Sequence, residues 1–123
     1  MISVGNGKYK VWVKEEVLNN GIIFIVGGGE VSHIGSIVLT EPRISRTGEG
    51  LSYTSQVINI AGHKEEKIAR NFAEKTCVKK KIPVLCICGI HIDNATNEDI
   101  KTLEFNAEKL LKKVLEKIKQ TEF

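Results

Sequence analysis

The segment Ile82-Pro83-Val84-Leu85-Cys86-Ile87-Cys88 is apolar at odd and even positions alike. Successive residues of a strand point to opposite faces, so a run with no polar face belongs at the centre of a sheet, and the rest of the chain must supply the strands that flank it. The preceding sequence contains them. Tyr9, Val11 and Val13 alternate with Lys8, Lys10 and Lys14, and Asn20-Gly21 separates them from the apolar run Ile22 to Val26, a hairpin pattern. A third strand is expected over Ser36 to Thr40, ended by Pro42, which cannot donate to a ladder. RISRTGEG (43–50) reads as a loop, and Tyr53 to Ile60 as a fourth strand.

Helical spacing replaces alternation after Gly62-His63, where Ile68, Ala69, Phe72, Ala73 and Cys77 share one face. Thr96 and Asp99 form a capping-box-like start for a long final helix with the stripe Ile100, Leu103, Ala107, Leu110, Leu111, Val114 and Ile118, which reads as core-facing. The order β-β-β-β-α-β-α predicts an α+β domain: an antiparallel meander of about five strands, the last entered through a crossover helix, with two helices on one face. No linker, repeat or low-complexity tract divides residues 1–123, so a single domain is expected.

Composition narrows the function. The net charge of +3 is mild, many of the lysines fall in 79–81 and in the last helix, and one Trp, two Tyr and four Phe leave no basic-aromatic interleaving, which argues against nucleic acid as partner. No apolar run reaches the ~20 residues that span a bilayer, and MISVGNGKYK lacks the features of a signal peptide. A cytoplasmic, membrane-free protein is expected, with Cys77, Cys86 and Cys88 as free, core-packed thiols.

The same strand order brings the three histidines together. His33 precedes the third strand, His63 follows the fourth, which runs back, and His91 follows the fifth, which the crossover makes parallel to the fourth, so all three arrive at one edge of the sheet. Gly35, Gly62 and Gly89 flank them and let backbone approach a ligand closely. Lys64, Glu65, Asp93 and Asn94 add polar groups, and Gly27-Gly28-Gly29 offers backbone N–H groups to an anion, although the strand that follows rules out a dinucleotide fingerprint. Three imidazoles at one rim either bind a divalent metal through His33, His63 and His91 or hydrogen-bond a phosphate or flavin edge. A Cys88–His91 nucleophile pair is disfavoured because both neighbouring thiols read as core.

VSHIG (31–35), GHKEEKIARNFAEK (62–75) and CGIHIDNATNEDI (88–100) resemble, in this order and spacing, the LpdD-like family of prenylated-flavin chaperones, also described as gallate decarboxylase subunits. The resemblance covers roughly residues 8 to 118. It implies a fold similar to the proteasome assembly chaperones, homo-oligomerisation, no catalytic residues, and delivery of prenylated FMN to a UbiD-like aromatic-acid decarboxylase. Carried onto this chain, the expected cofactor-binding residues are His33, Gly35, His63, Lys64, Gly89 and His91, with His33, His63 and His91 as metal ligands if a metal takes part. Two alternatives remain: an assembly module with structural histidines, and a three-histidine metalloenzyme.

Overall fold

The computed structural model describes residues 1–60 and 64–120, without the side chains of residues 64, 119 and 120. Its strands are β1 (Ile2–Val4), β2 (Val11–Leu18), β3 (Gly21–Gly29), β4 (Val31–Ile44), β5 (Leu51–Asn59) and β6 (Val84–His91); its helices are α1 (Lys64–Lys80) and α2 (Asn97–Gln120). They form one six-stranded sheet in the order β1-β2-β3-β6-β4-β5.

The expected meander is therefore broken. β6 lies between β3 and β4, parallel to the first and antiparallel to the second, so the sheet is mixed and not purely antiparallel, and β1 adds a sixth strand ahead of the expected order. The central place of β6 follows from its two apolar faces. Its expected neighbour, β5, sits at the edge and only shares its direction. Pro42 does not end β4, because below Thr40 the β6 ladder has stopped and β4 has β5 alone beside it, where a missing N–H is tolerated. Tyr9 lies in a 3-10 turn (Gly7–Tyr9) and not in a strand.

Register sorts the side chains onto two faces. Val13, Val26, Cys88 and Ser36 form one row and Phe24, Cys86 and Val38 the next, all buried beneath Ile68, Phe72 and Cys77 of α1 and Leu103, Leu110 and Val114 of α2. Both helices cover this face. Phe24 and Phe72 meet edge to face with ring centroids 5.7 Å apart, joining sheet to helix. Arg70, bracketed by Glu66 at 2.8 Å and Glu74 at 2.9 Å, anchors a network that reaches Asn59 and Ser55 of β5 and fixes α1 over that edge.

At the start of α2 the capping box forms as expected: the Asp99 N–H donates to Thr96 Oγ1 and the Thr96 N–H to Asp99 Oδ2, each at 3.0 Å. Asp99 also accepts a 2.6 Å bond from the Tyr9 hydroxyl. That bond, and next the Thr96 N–H, hold the Asp99 carboxyl below its usual 3.8, while the same bond raises the Tyr9 hydroxyl above 10.0. A depressed carboxylate contributes stability above 3.8 that is lost as pH falls through its folded value, and a raised phenol contributes below 10.0 and loses it as pH rises through its own. Tyr9→Phe is expected to melt below the wild type between these limits, with the gap closing at both. Thermal melts across pH check this; a gap that does not change with pH would contradict it.

Candidate functional site

The site grows from the carboxyl end of β6. Gly29 of β3 and Val31 of β4 both pair with His91, and Glu30 carries the chain across the strand's end, its N–H donating to the His91 carbonyl at 2.7 Å. Glu30 Oε1 then accepts the Asp93 N–H at 2.7 Å, which braces the turn after β6. Gly29 takes φ +73°, and a Cβ there would lie 2.4 Å from the His91 carbonyl oxygen, so the position demands glycine. The triglycine run is thus used for packing. Gly29 donates its N–H to the Lys10 carbonyl at 3.1 Å and Gly27 lies against the Trp12 ring, so no anion cradle forms from it.

A bulge in β4 positions the first imidazole. Ser32 pairs with Ile90 and Ser36 with Cys88, leaving His33, Ile34 and Gly35 opposite the single residue Gly89. The His33 carbonyl presses onto Gly89 so closely that a Cβ there would sit 1.5 Å from its oxygen. Gly35 makes the matching space on the helix side, where an added Cβ would meet Glu65 Cδ at 2.9 Å and His33 Cε1 at 3.1 Å. Through this gap His33 Nε2 comes within 3.2 Å of Glu65 Oε1 in the first turn of α1, a carboxylate side chain only 11% exposed.

The second imidazole, His91, lies 2.8 Å from Asp93 Oδ1 through Nε2, and its ring meets that of His33 edge to face at 6.1 Å between centroids. The two head a cleft of about 400 Å³ between the end of β6 and the first turns of α1 and α2. Ile68, Ile90, Ile92, Ala95, Ile100 and Leu103 form its apolar wall, and Glu65, Asn94 and Glu104 join the imidazoles as its polar groups. Glu104 is paired with Lys67 at 3.5 Å. Size and lining are those of a small-molecule site, mostly apolar with a few convergent polar groups.

Below the cleft, burial pushes the Cys88 thiol well up, with the Glu65 charge adding to it, and burial does the same to Cys86. Both stay protonated and behave as core residues, which excludes the Cys88–His91 nucleophile.

His33 and His91 are thus brought together as expected, but His33 sits within β4 and His91 is the last residue of β6. Gly35 and Gly89 shape the site by close approach and do not line the cleft. His63 and the Lys64 side chain lie outside the described residues. Among the described residues, no group of three or more His, Cys, Asp or Glu side chains is placed to hold a metal ion. The apolar wall and the bracing Glu30 were not anticipated. Ile100 and Leu103 read as core, and their one sequence signal was Ile92 and Ala95, apolar residues in a segment between strand and helix that needs none.

A solved chaperone complex for yeast 20S proteasome assembly aligns with 97% of this chain and 94% of its own at a TM-score of 0.63 and 15% identity, which shows the proteasome assembly chaperone-like fold. No curated protein matches the chain. The family profile for the prenylated flavin chaperone LpdD-like domain matches residues 5–119, so this chain belongs to that family.

Proposed function

We propose that the cleft binds prenylated FMN and that the chain, a non-catalytic homo-oligomer of the cytoplasm, delivers it to a UbiD-like aromatic-acid decarboxylase. The observation that carries this reading is the apolar-walled cleft headed by His33 and His91, lined by residues of all three segments that carry the family resemblance. Ile68, Ile90, Ile100 and Leu103 offer a surface to the flat ring system, while the two imidazoles and Asn94 offer hydrogen bonds to its polar edge. Glu65 and Asp93 orient the imidazoles. The cofactor supplies electron-sink chemistry to the decarboxylase; in this chain the residues bind it, shield it and orient it. The imidazoles act here as hydrogen-bonding groups, so no metal is required.

Co-expression with a flavin prenyltransferase tests the reading. The purified chain should carry the absorption of a prenylated flavin, and stripping divalent metal with a chelator should leave that absorption in place. His33→Ala with His91→Ala should weaken retention about tenfold or more, since hydrogen bonds from such groups contribute ~1.5–3 kcal/mol. Absence of any flavin on the wild type, or a folded double variant that still supports decarboxylase maturation, would leave only an assembly role. Loss of retention on chelation would restore the metal.

A further inference from the structure

The open edges of the sheet are not alike. β1 closes one side with only three residues, and beyond Val13 it leaves β2 uncovered where Lys14, Glu15 and Glu16 put charges on the edge. β4 runs on past the end of the β6 ladder, where Glu41, Pro42 and Arg43 do the same. Short length, charge and proline are what keep foreign strands from pairing with an edge. β5 has none of them. Its nine residues, LSYTSQVIN, hold no charge, proline or glycine, and among the described residues no strand lies on its outer side.

The phase of the β4–β5 ladder follows from its two ends. The Ile60 N–H donates to the Gly35 carbonyl at 2.8 Å and the Ser45 N–H to the Gly50 carbonyl at 3.2 Å. Antiparallel pairs alternate between bonded and non-bonded, so Ser52, Thr54, Gln56 and Ile58 turn their backbone groups inward to β4, while Leu51, Tyr53, Ser55 and Val57 turn theirs outward. Among the described residues, no backbone group pairs with that outward set. Its N–H and C=O groups recur at every second residue, the spacing that lets an extended chain add itself as a strand.

The flank of α1 above this edge selects the occupant. Glu66, Arg70, Glu74 and Val78 form one row at four-residue spacing. Glu66 accepts a bond from Asn59 at 2.7 Å, Glu74 one from the Ser55 hydroxyl at 2.6 Å, and the Val78 carbonyl one from the Tyr53 hydroxyl at 3.4 Å, so the row stands over β5. It sets two carboxylates against one guanidinium, and Val78 is 50% exposed. A strand laid along β5 would put its residue opposite Ser55 beside Glu74 and its residue opposite Tyr53 beside Val78. A basic side chain suits the first place and an apolar one the second. A second copy of β5 offers no basic residue and would bring another α1 row of the same sign alongside the first. Asn59 bonds to Glu66, the neighbour in sequence of the Glu65 that pairs with His33, so a docked strand would end beside the cleft.

We propose that β5 is the docking edge for an extended segment of the enzyme that receives the cofactor. That segment joins the six-stranded sheet as a further strand, with a basic residue beside Glu74 and an apolar one beside Tyr53 and Val78. The proposal rests on the delivery reading and adds to it where the partner binds and by what chemistry.

Amide hydrogen exchange of the full chain, with and without a purified UbiD-like apo-decarboxylase, tests it. Leu51, Tyr53, Ser55 and Val57 should exchange about tenfold or more slowly in the complex. Ser55→Pro removes one outward N–H and spares the β4 ladder, so it should keep the fold and its flavin yet bind the enzyme about tenfold or more weakly. Ser55→Ala loses the same hydroxyl but keeps the N–H, and should bind as the wild type does. Blocked heptapeptides that alternate threonine with valine and carry lysine or glutamate at the centre read the charge. The lysine peptide should bind about threefold or more tightly than the glutamate one, and Glu74→Lys should reverse the order. Decarboxylase activation with unchanged exchange along β5 would overturn this edge and leave the delivery reading standing. Self-association that falls with Ser55→Pro would make a second copy the occupant and overturn the proposed partner. A chain that keeps its flavin but neither binds nor activates the enzyme would overturn the delivery reading and the proposal together.

Discussion

Gly89→Ala is expected to be the most damaging glycine-to-alanine change among the described residues. The new Cβ would fall 1.5 Å from the His33 carbonyl oxygen. That atom belongs to backbone in mid-sheet, so relief requires the bulge in β4 to flatten or the β4–β6 ladder to part. Ordinary overpacking costs ~1–3 kcal/mol, and a clash with backbone should reach the upper end, about 3 kcal/mol, or roughly 10 °C in melting temperature for a domain of this size. Flavin retention should fall with it, because the same bulge aims His33 into the cleft. Gly35→Ala is the control. Its Cβ would meet the far end of the Glu65 side chain at 2.9 Å, which can swing away, so little stability is lost while the Glu65–His33 contact opens. A Gly89→Ala protein that melts with the wild type would refute the bulge as the device that positions His33.

Phe72→Ala is expected to cost ~3–5 kcal/mol, the range for emptying a large aromatic site in a core. Phe72 is 1% exposed and its ring meets Phe24, itself fully buried on β3. Because α1 carries both Phe72 and Glu65, loosening the helix should also weaken the Glu65–His33 pair and reduce flavin retention more than stability alone would require. A double-mutant cycle with Phe24→Leu should show a coupling of ~0.5–1.5 kcal/mol for the edge-to-face pair. Chemical denaturation measures both; additive losses would mean that the rings share a core without a specific contact.

Much of this was legible in the residues. Apolar character at every position of 82–88 placed β6 at the centre, and helical spacing found the faces of α1 and α2 because burial imposes those periods directly. The meeting of His33 and His91 was also readable, even though the pairing that suggested it was wrong. Only strand direction matters for which edge a residue reaches, and β6 runs parallel to β5 whether or not the two are neighbours. What alternation could not reveal was lateral order, since inserting β6 between β3 and β4 changes no side chain's face. Pro42 misled for a similar reason: whether a missing N–H is costly depends on which strand lies alongside. The apolar wall was hidden because a leucine facing a cleft and one facing a core carry the same period, and the bulge because Gly35 and Gly89 reveal their closeness only in pairs.

β3 and β4 are joined by Glu30 alone and yet are held apart by a strand that follows more than fifty residues later. They cannot zip together as a local hairpin, so on a ribosome both would emerge with open inner edges and wait until residue 91 was made. The centre of the sheet is thus the last strand to arrive. Nascent chains of this protein should therefore be exposed to mispairing until α1 has been made and β6 has followed it.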